Sequence, residues 1–131
     1  MGGGVSSLSK VCVVGPPTHP EADVDYTFAQ VQVKEALVDF SGNCGNMLAA
    51  IGPFAVEEGL VSASDGTAVV RVHNTNTQKI IHVRFSMVNG SPAVNGDFAI
   101  PGVAGTGAPV KLEFRSPGGR RCTPFLSVVC Y

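Results

Sequence analysis

The chain contains no run approaching the ~20 consecutive apolar residues that a membrane-spanning helix needs. Its first apolar run, "VCVVG", is too short for the core of a secretory leader and is followed by two prolines. Membrane insertion and secretion are therefore not expected. No CxxC pair occurs among the four cysteines, Cys12, Cys44, Cys122 and Cys130, and the three histidines sit in unrelated segments. Those spacings exclude the usual zinc sites, and the thiols read as reduced, which points to a cytoplasmic protein. A basic stripe is also missing. Net charge is −1 and the pI is near 6.3, so nucleic acid is excluded as the main partner. Arg115, Arg120 and Arg121 cluster, but among Ser, Pro and Gly, as in a solvated tail. Charged residues are scarce, at 15% against 44% hydrophobic. This balance excludes a disordered chain, and 131 residues make one modest domain.

What is present is β-type patterning interrupted once. "KVCVV" is a short β-like run that the prolines of "GPPTHP" stop. In "DVDYTFAQVQV", Val24, Tyr26 and Phe28 alternate, and Val31 and Val33 follow after a change of phase. This predicts a strand with a bulge near Ala29. "ALVDF" extends the β-rich region. "TAVVRVHNT" and "KIIHVRFSM" form a predicted hairpin across the polar "NTQ" segment. "GDFAI" and "VKLEF" read as two more strands around the loop "PGVAGTGAP".

The interruption runs from Asn46 to about Leu60. Met47, Leu48, Ile51, Ala55 and Val56 recur there at helical spacing. Nearly every face is apolar before Glu57 and Glu58, so the helix should be enclosed. Pro53 weakens it and Gly59 helps end it. The fold class expected is α+β: about six strands of a curled, mixed or antiparallel sheet wrapped around one central apolar helix.

The helix begins at "SGNCGN". A helix N-terminus leaves backbone N–H groups unpaired and carries about half a positive charge, so it attracts carboxylates. Gly42 and Gly45 let a ligand approach the backbone, and Asn43 and Asn46 add side-chain donors. A thiol at such a position, normally with a pKa of ~8.5, ionises more readily. Cys44 is thus a candidate proton carrier beside a carboxylate pocket, suited to removing a proton from a carbon next to a carboxylate. The simpler reading is a buried structural cysteine beside a Gly-rich turn. Lys10, on the residues alone, is a surface lysine at a strand start. His19 reads as a loop residue and Cys12 as core. Cross-strand packing of His73 and His82, opposite each other, is expected rather than catalysis. Asp23, Asp25, Glu57 and Glu58 read as solvated. "MGGGVS" fits the myristoylation pattern.

Taken in order and at this spacing, "GGGVSSLSK", "VDYTFAQV" and "VDFSGNCGNMLAAIGPFAVEEGLV" resemble the PrpF family of the diaminopimelate epimerase-like superfamily, from Met1 to about Ser116. The resemblance implies one lobe of a two-lobed fold, each lobe a curled sheet around a helix, with the active site between them. It implies a cofactor-independent isomerase, with no metal, acting on a small unsaturated di- or tricarboxylate (2-methylaconitate-type cis–trans isomerisation). The family's reactive cysteine falls on Cys44 and its acid/base lysine on Lys10. Gly3, Gly4, Ser6 and Ser7, with Asn43, Gly45 and Asn46, would hold substrate carboxylates. Lys10 would have to be neutral to act as base, against an ordinary lysine pKa of ~10.4, so desolvation between lobes is expected to lower it.

The resemblance also makes the myristoylation match fortuitous, since the glycines become a substrate loop. Residues 1–116 are expected to form part of an N-terminal lobe, incomplete without its second lobe, and 117–131 a divergent tail. Its late Phe, Leu, Val, Val and Tyr need a partner surface. Such a fragment should be inactive or weak. The alternative function is a non-catalytic module that associates with itself or with a partner through the exposed interlobe surface; a lipid-anchored β-rich adaptor is a third class.

Overall fold

A computed structural model of the chain describes residues 4–115 and the backbone of residues 125–130. After a single turn of 3-10 helix at Ser6–Leu8, the strands are β1 (Lys10–Gly15), β2 (Val24–Val31) and β3 (Val38–Asp39). The helix α1 (Gly45–Glu57) follows. Then come β4 (Gly66–Asn74), β5 (Lys79–Val88), β6 (Ser91–Pro92), β7 (Val110–Arg115) and β8 (Phe125–Cys130). The strands form one mixed sheet in the order β1-β2-β4-β5-β7-β8, with β3 paired to β2 and β6 to β5. Neighbours are antiparallel except β2 and β4, which run parallel with Val24 opposite Val72 and Tyr26 opposite Asn74. A parallel pair requires a crossover connection, and α1 lies in it.

The sheet curls around α1, which packs against β1, β2, β4, β5, β6 and β7. The inner face carries Val24, Tyr26 and Phe28 of β2, Val70 and Val72 of β4, and Ile81, Val83 and Phe85 of β5. Leu48, Ala49, Ile51 and Ala55 of the helix meet them. Burying each large apolar side chain contributes about 1.5–3 kcal/mol, so this one core dominates the stability. Gly52 sets the approach of helix to sheet. A Cβ there would lie 2.6 Å from Val83 Cγ1 and 2.9 Å from Phe85 Cε1. The helix ends in a Schellman turn: Leu60 N–H donates to Ala55 O (2.8 Å) and Gly59 N–H to Val56 O (3.0 Å), with Gly59 at φ +70°. Pro53 is accommodated within the helix.

Several expectations change. The helix starts at Gly45 and stops at Glu57, short of Leu60. It is not wholly enclosed, because Ala50 and Phe54 stay exposed. No bulge forms at Ala29. Pairing runs in register from Lys10↔Gln30 to Gly15↔Asp25, and the change of phase marks the end of β2 instead. "GDFAI" contributes only the bridge Phe98↔Gly107, because Gly96 is pressed against the Gly107 carbonyl and Ala108. His73 and His82 are not opposite each other: His73 faces Ile80 and His82 faces Arg71.

Asp23 and Asp25 are partnered, not merely solvated. Asp23 binds Arg71, and Asp25 accepts from the Thr18 hydroxyl (2.7 Å) and contacts His73 Nδ1 (3.0 Å). The backbone of residues 125–130 pairs with β7 as β8. Arg120, Arg121 and Cys122 lie outside the described residues. No described helix is long and apolar enough to cross a membrane.

Candidate active site

β1 alternates, so Lys10, Cys12 and Val14 share the face turned toward α1. Across from it, the chain leaves β3 through an Asx turn, where Ser41 N–H donates to Asp39 Oδ1 (2.8 Å). It reaches α1 with Cys44 as the N-cap residue. Cys44 is extended (φ −124°, ψ 110°), its carbonyl accepts the first helical hydrogen bond from Leu48 (2.9 Å), and its thiol makes no capping bond. The sulfur is therefore free to point elsewhere. It meets Lys10, whose Nζ donates to Sγ at 3.4 Å across 34 residues of sequence. Both residues are partly exposed.

Gly45, Asn46 and Met47 precede the first intrahelical bond, so their N–H groups face outward at the positive end of the helix. Asn43, Gly45 and Asn46 are exposed around Cys44. Gly4 (φ +72°), Ser6 and Ser7 are exposed on the turn that leads into Lys10. Gly3 lies outside the described residues. The lysine and the cysteine are thus brought into contact, and the two groups of small polar residues flank them along the chain.

Beneath the pair sits Cys12. Its thiol donates to the Tyr26 phenol oxygen at 3.8 Å. Burial pushes the Cys12 thiol up, Tyr26 works against this, and the nearby Cys44 adds to it. Tyr26 is fully buried, and burial together with the Cys12 contact pushes its phenol up. A shallow groove of 180 Å³ runs from here between β1 and α1, lined by Cys12, Val14, Met47, Ala50, Ile51 and Phe54. The region is polar at the Lys10–Cys44 end and apolar along the groove.

Two side-chain amides that sequence reasoning missed anchor the loops. Gln30 Nε2 donates to the carbonyls of Ser6 (3.0 Å) and Ser9 (2.9 Å), and Val31 N–H also donates to Ser9 O. This ties the serine turn to β2 just ahead of Lys10. Asn76 bonds to Phe28 and Phe40, just ahead of the Cys44 loop. Alternation placed Gln30 on β2 but carried no sign of its partners. Asn76 sits in a polar hairpin turn and meets Phe28 across 48 residues.

The chain is 48% identical to 3-methylitaconate isomerase of Eubacterium barkeri over 85% of its own length and 29% of that protein. It is 46% identical to 2-methyl-aconitate isomerase of Cupriavidus necator, covering 89% of the chain and 31% of the relative. It is 44% identical to (4E)-oxalomesaconate Delta-isomerase of Novosphingobium sp. (strain KA1), over 96% and 35%. The chain thus spans about a third of the length of these relatives. A solved structure of methylitaconate-delta-isomerase superposes with a TM-score of 0.82 at 46% identity, over 86% of this chain and 50% of that one. The fold is accordingly diaminopimelate epimerase-like. The family model for PrpF protein matches residues 1–126, and the chain belongs to the PrpF family.

Proposed function

We propose that this chain carries the lysine–cysteine half of an isomerase site that moves a proton, and with it a double bond, in a small unsaturated di- or tricarboxylate. The observation that carries this reading is the 3.4 Å contact between Lys10 Nζ and Cys44 Sγ at the start of α1. One group removes a proton from the carbon next to a carboxylate. The negative charge spreads into that carboxylate, where the N–H groups of Gly45, Asn46 and Met47 and the amide of Asn43 stabilise it. The proton returns to the same carbon after rotation, or to another carbon, giving cis–trans isomerisation or an allylic shift. Gly3, Gly4, Ser6 and Ser7 hold a second carboxylate. No step calls on a metal or an organic cofactor. A 2-methylaconitate-type substrate suits the named activities of the relatives. Among the described residues Cys12 and Cys44 are free thiols, which suits the reducing cytoplasm.

Residues 1–116 act as a partial lobe and 117–131 as a divergent tail in this reading. The pair is partly exposed, and an open half-site excludes water poorly. Turnover by this chain alone is therefore absent or very weak. The test is deuterium uptake from D2O into an unsaturated tricarboxylate, followed by NMR over long incubation. Slow uptake that vanishes in both Lys10→Met and Cys44→Ala supports the proposal. Uptake indifferent to both substitutions removes it.

A second reading has one observation in its favour. β1 is an edge strand, with no neighbour on its outer side among the described residues, and the apolar groove opens beside it. Such an edge suits strand addition by a second copy. A self-associating, non-catalytic module would elute as a dimer in size-exclusion chromatography and show no tricarboxylate chemistry.

A further inference from the structure

The outer edge of β2 has two successive partners and a gap between them. β4 runs along Val24–Tyr26, and β3 pairs with Gln30 and Val31. Between them, Thr75 N–H donates to Tyr26 O (3.0 Å), and then the Asn76 side chain takes the place of a strand. Phe28 N–H donates to Asn76 Oδ1 at 2.8 Å, and Asn76 Nδ2 donates back to Phe28 O at 2.8 Å. The second Nδ2 proton goes to Phe40 O at 2.6 Å. The carboxamide orientation follows from its partners, because only the nitrogen can serve two carbonyl oxygens. Both protons and the oxygen are thereby used. Phe40 lies between β3 and the loop that delivers Cys44 to the head of α1.

We infer that Asn76 is a positioning residue: its carboxamide fixes the Cys44 loop to β2, and thereby sets the thiol opposite Lys10. β2 holds Lys10 through the β1 register (Lys10↔Gln30). Without Asn76, what registers Cys44 against the same strand among the described residues is the two-residue β3 pairing, the Gln32 N–H bond to Leu37 O (2.9 Å) beside it, and the helix itself. The inference rests on the proposed role of the Lys10–Cys44 pair, but its test reads the coupling between those residues and not turnover. The two ideas can therefore fail separately.

The experiment is a double-mutant cycle on the rate of Cys44 carboxymethylation near neutral pH, read by peptide mass spectrometry with Cys12 as the internal reference. In the wild-type background, Lys10→Met changes the Cys44 rate by about fivefold or more, the size of a coupling between residues in contact. In Asn76→Asp, a carboxylate faces the Phe28 and Phe40 carbonyls, the loop is released, and the Lys10 effect collapses toward unity. Thr27→Val is the structural control. It removes the neighbouring 2.6 Å hydroxyl pair with Thr75 without touching Phe40, and the Lys10 effect persists. If Asn76→Asp does not melt cooperatively, Asn76→Ser, which opens both carbonyls to water, takes its place in the cycle. A Lys10 effect of full size in a folded Asn76 variant overturns the inference, as does its loss in Thr27→Val. If Lys10→Met has no effect even in the wild-type background, there is no pairing for Asn76 to position, and the inference falls with it. Loss of D2O-driven exchange with the cycle intact would instead strike only the isomerase proposal.

Discussion

Gly52 and Val83 stand so close that helix and sheet leave no room for a methyl group: a Cβ on Gly52 would lie 2.6 Å from Val83 Cγ1. Val83 is fully buried and Phe85 nearly so, so neither can swing aside. Gly52→Ala should therefore lose about 1–3 kcal/mol through overpacking, although alanine is the better helix former. Gly45 provides the contrast, because a methyl group there would meet nothing within 4 Å. Gly45→Ala should stay within about 1 kcal/mol of the parent. Urea unfolding of the two variants checks both, and equal midpoints would contradict the packing.

Gly59→Ala tests the other end of α1. Its φ of +70° lies in the left-handed region and it closes the Schellman turn. Open space surrounds it, so the cost is backbone strain alone, about 1–2 kcal/mol. Thermal unfolding should show a loss smaller than or comparable to that of Gly52→Ala.

Acid should destabilise the fold in two stages. For His82, burial first and then Arg115, against the pull of Glu113, lower the pKa below the ordinary 6.5. Its contribution is complete above 6.5 and declines as pH falls below that value, because the unfolded chain then binds the proton more readily. For Asp25, burial raises the pKa, but the Thr18 hydroxyl and N–H and the His73 ring outweigh it, so the carboxyl sits below 3.8. For Asp23, burial likewise opposes a net lowering by Arg71. These contributions are present above 3.8 and are lost as pH falls through the lowered values. Urea midpoints against pH should show a first decline below 6.5 that disappears in His82→Gln. A second decline, below 3.8, should be weakened in Thr18→Val. A His82→Gln profile identical to the parent's between 4 and 6.5 would contradict the assignment.

Local signals and distant ones were not equally legible. The start of α1 could be read because SGNCGN and the apolar spacing after it act within a few residues, and the β4–β5 hairpin for the same reason. The meeting of Lys10 with Cys44 was expected only through the family resemblance, since nothing in the segment between them, a separation of 34 in sequence, encodes it. The parallel β2–β4 pairing, the His73–Asp25 contact and the Asn76 bonds depend on register between strands that are far apart in the chain. Alternation marks which face a residue takes, not which residue it meets. "GDFAI" has strand-like composition, but the close approach of Gly96 to Gly107 leaves it one bridge.

Gln30 should matter for ligand binding without altering the sulfur itself. Gln30→Leu removes the amide's bonds to the Ser6 and Ser9 carbonyls, leaves Ser9 O with Val31 N–H, and loosens the serine turn, at about 1 kcal/mol of stability. The concentration of an unsaturated tricarboxylate needed to protect Cys44 from alkylation should rise severalfold. The unprotected alkylation rate should be unchanged. A shift in the unprotected rate alone would contradict a role for the turn in holding carboxylates.

The most direct measurement on the central pair is the alkylation rate of Cys44 with and without an unsaturated tricarboxylate, resolved by peptide and compared with Cys12. Cys44 should react faster than Cys12, whose thiol burial pushes up. The tricarboxylate should protect Cys44, and Lys10→Met should abolish that protection. A Cys44 that reacts no faster than Cys12, or that the tricarboxylate leaves unprotected, would contradict an acid-binding helix start with a working sulfur beside it.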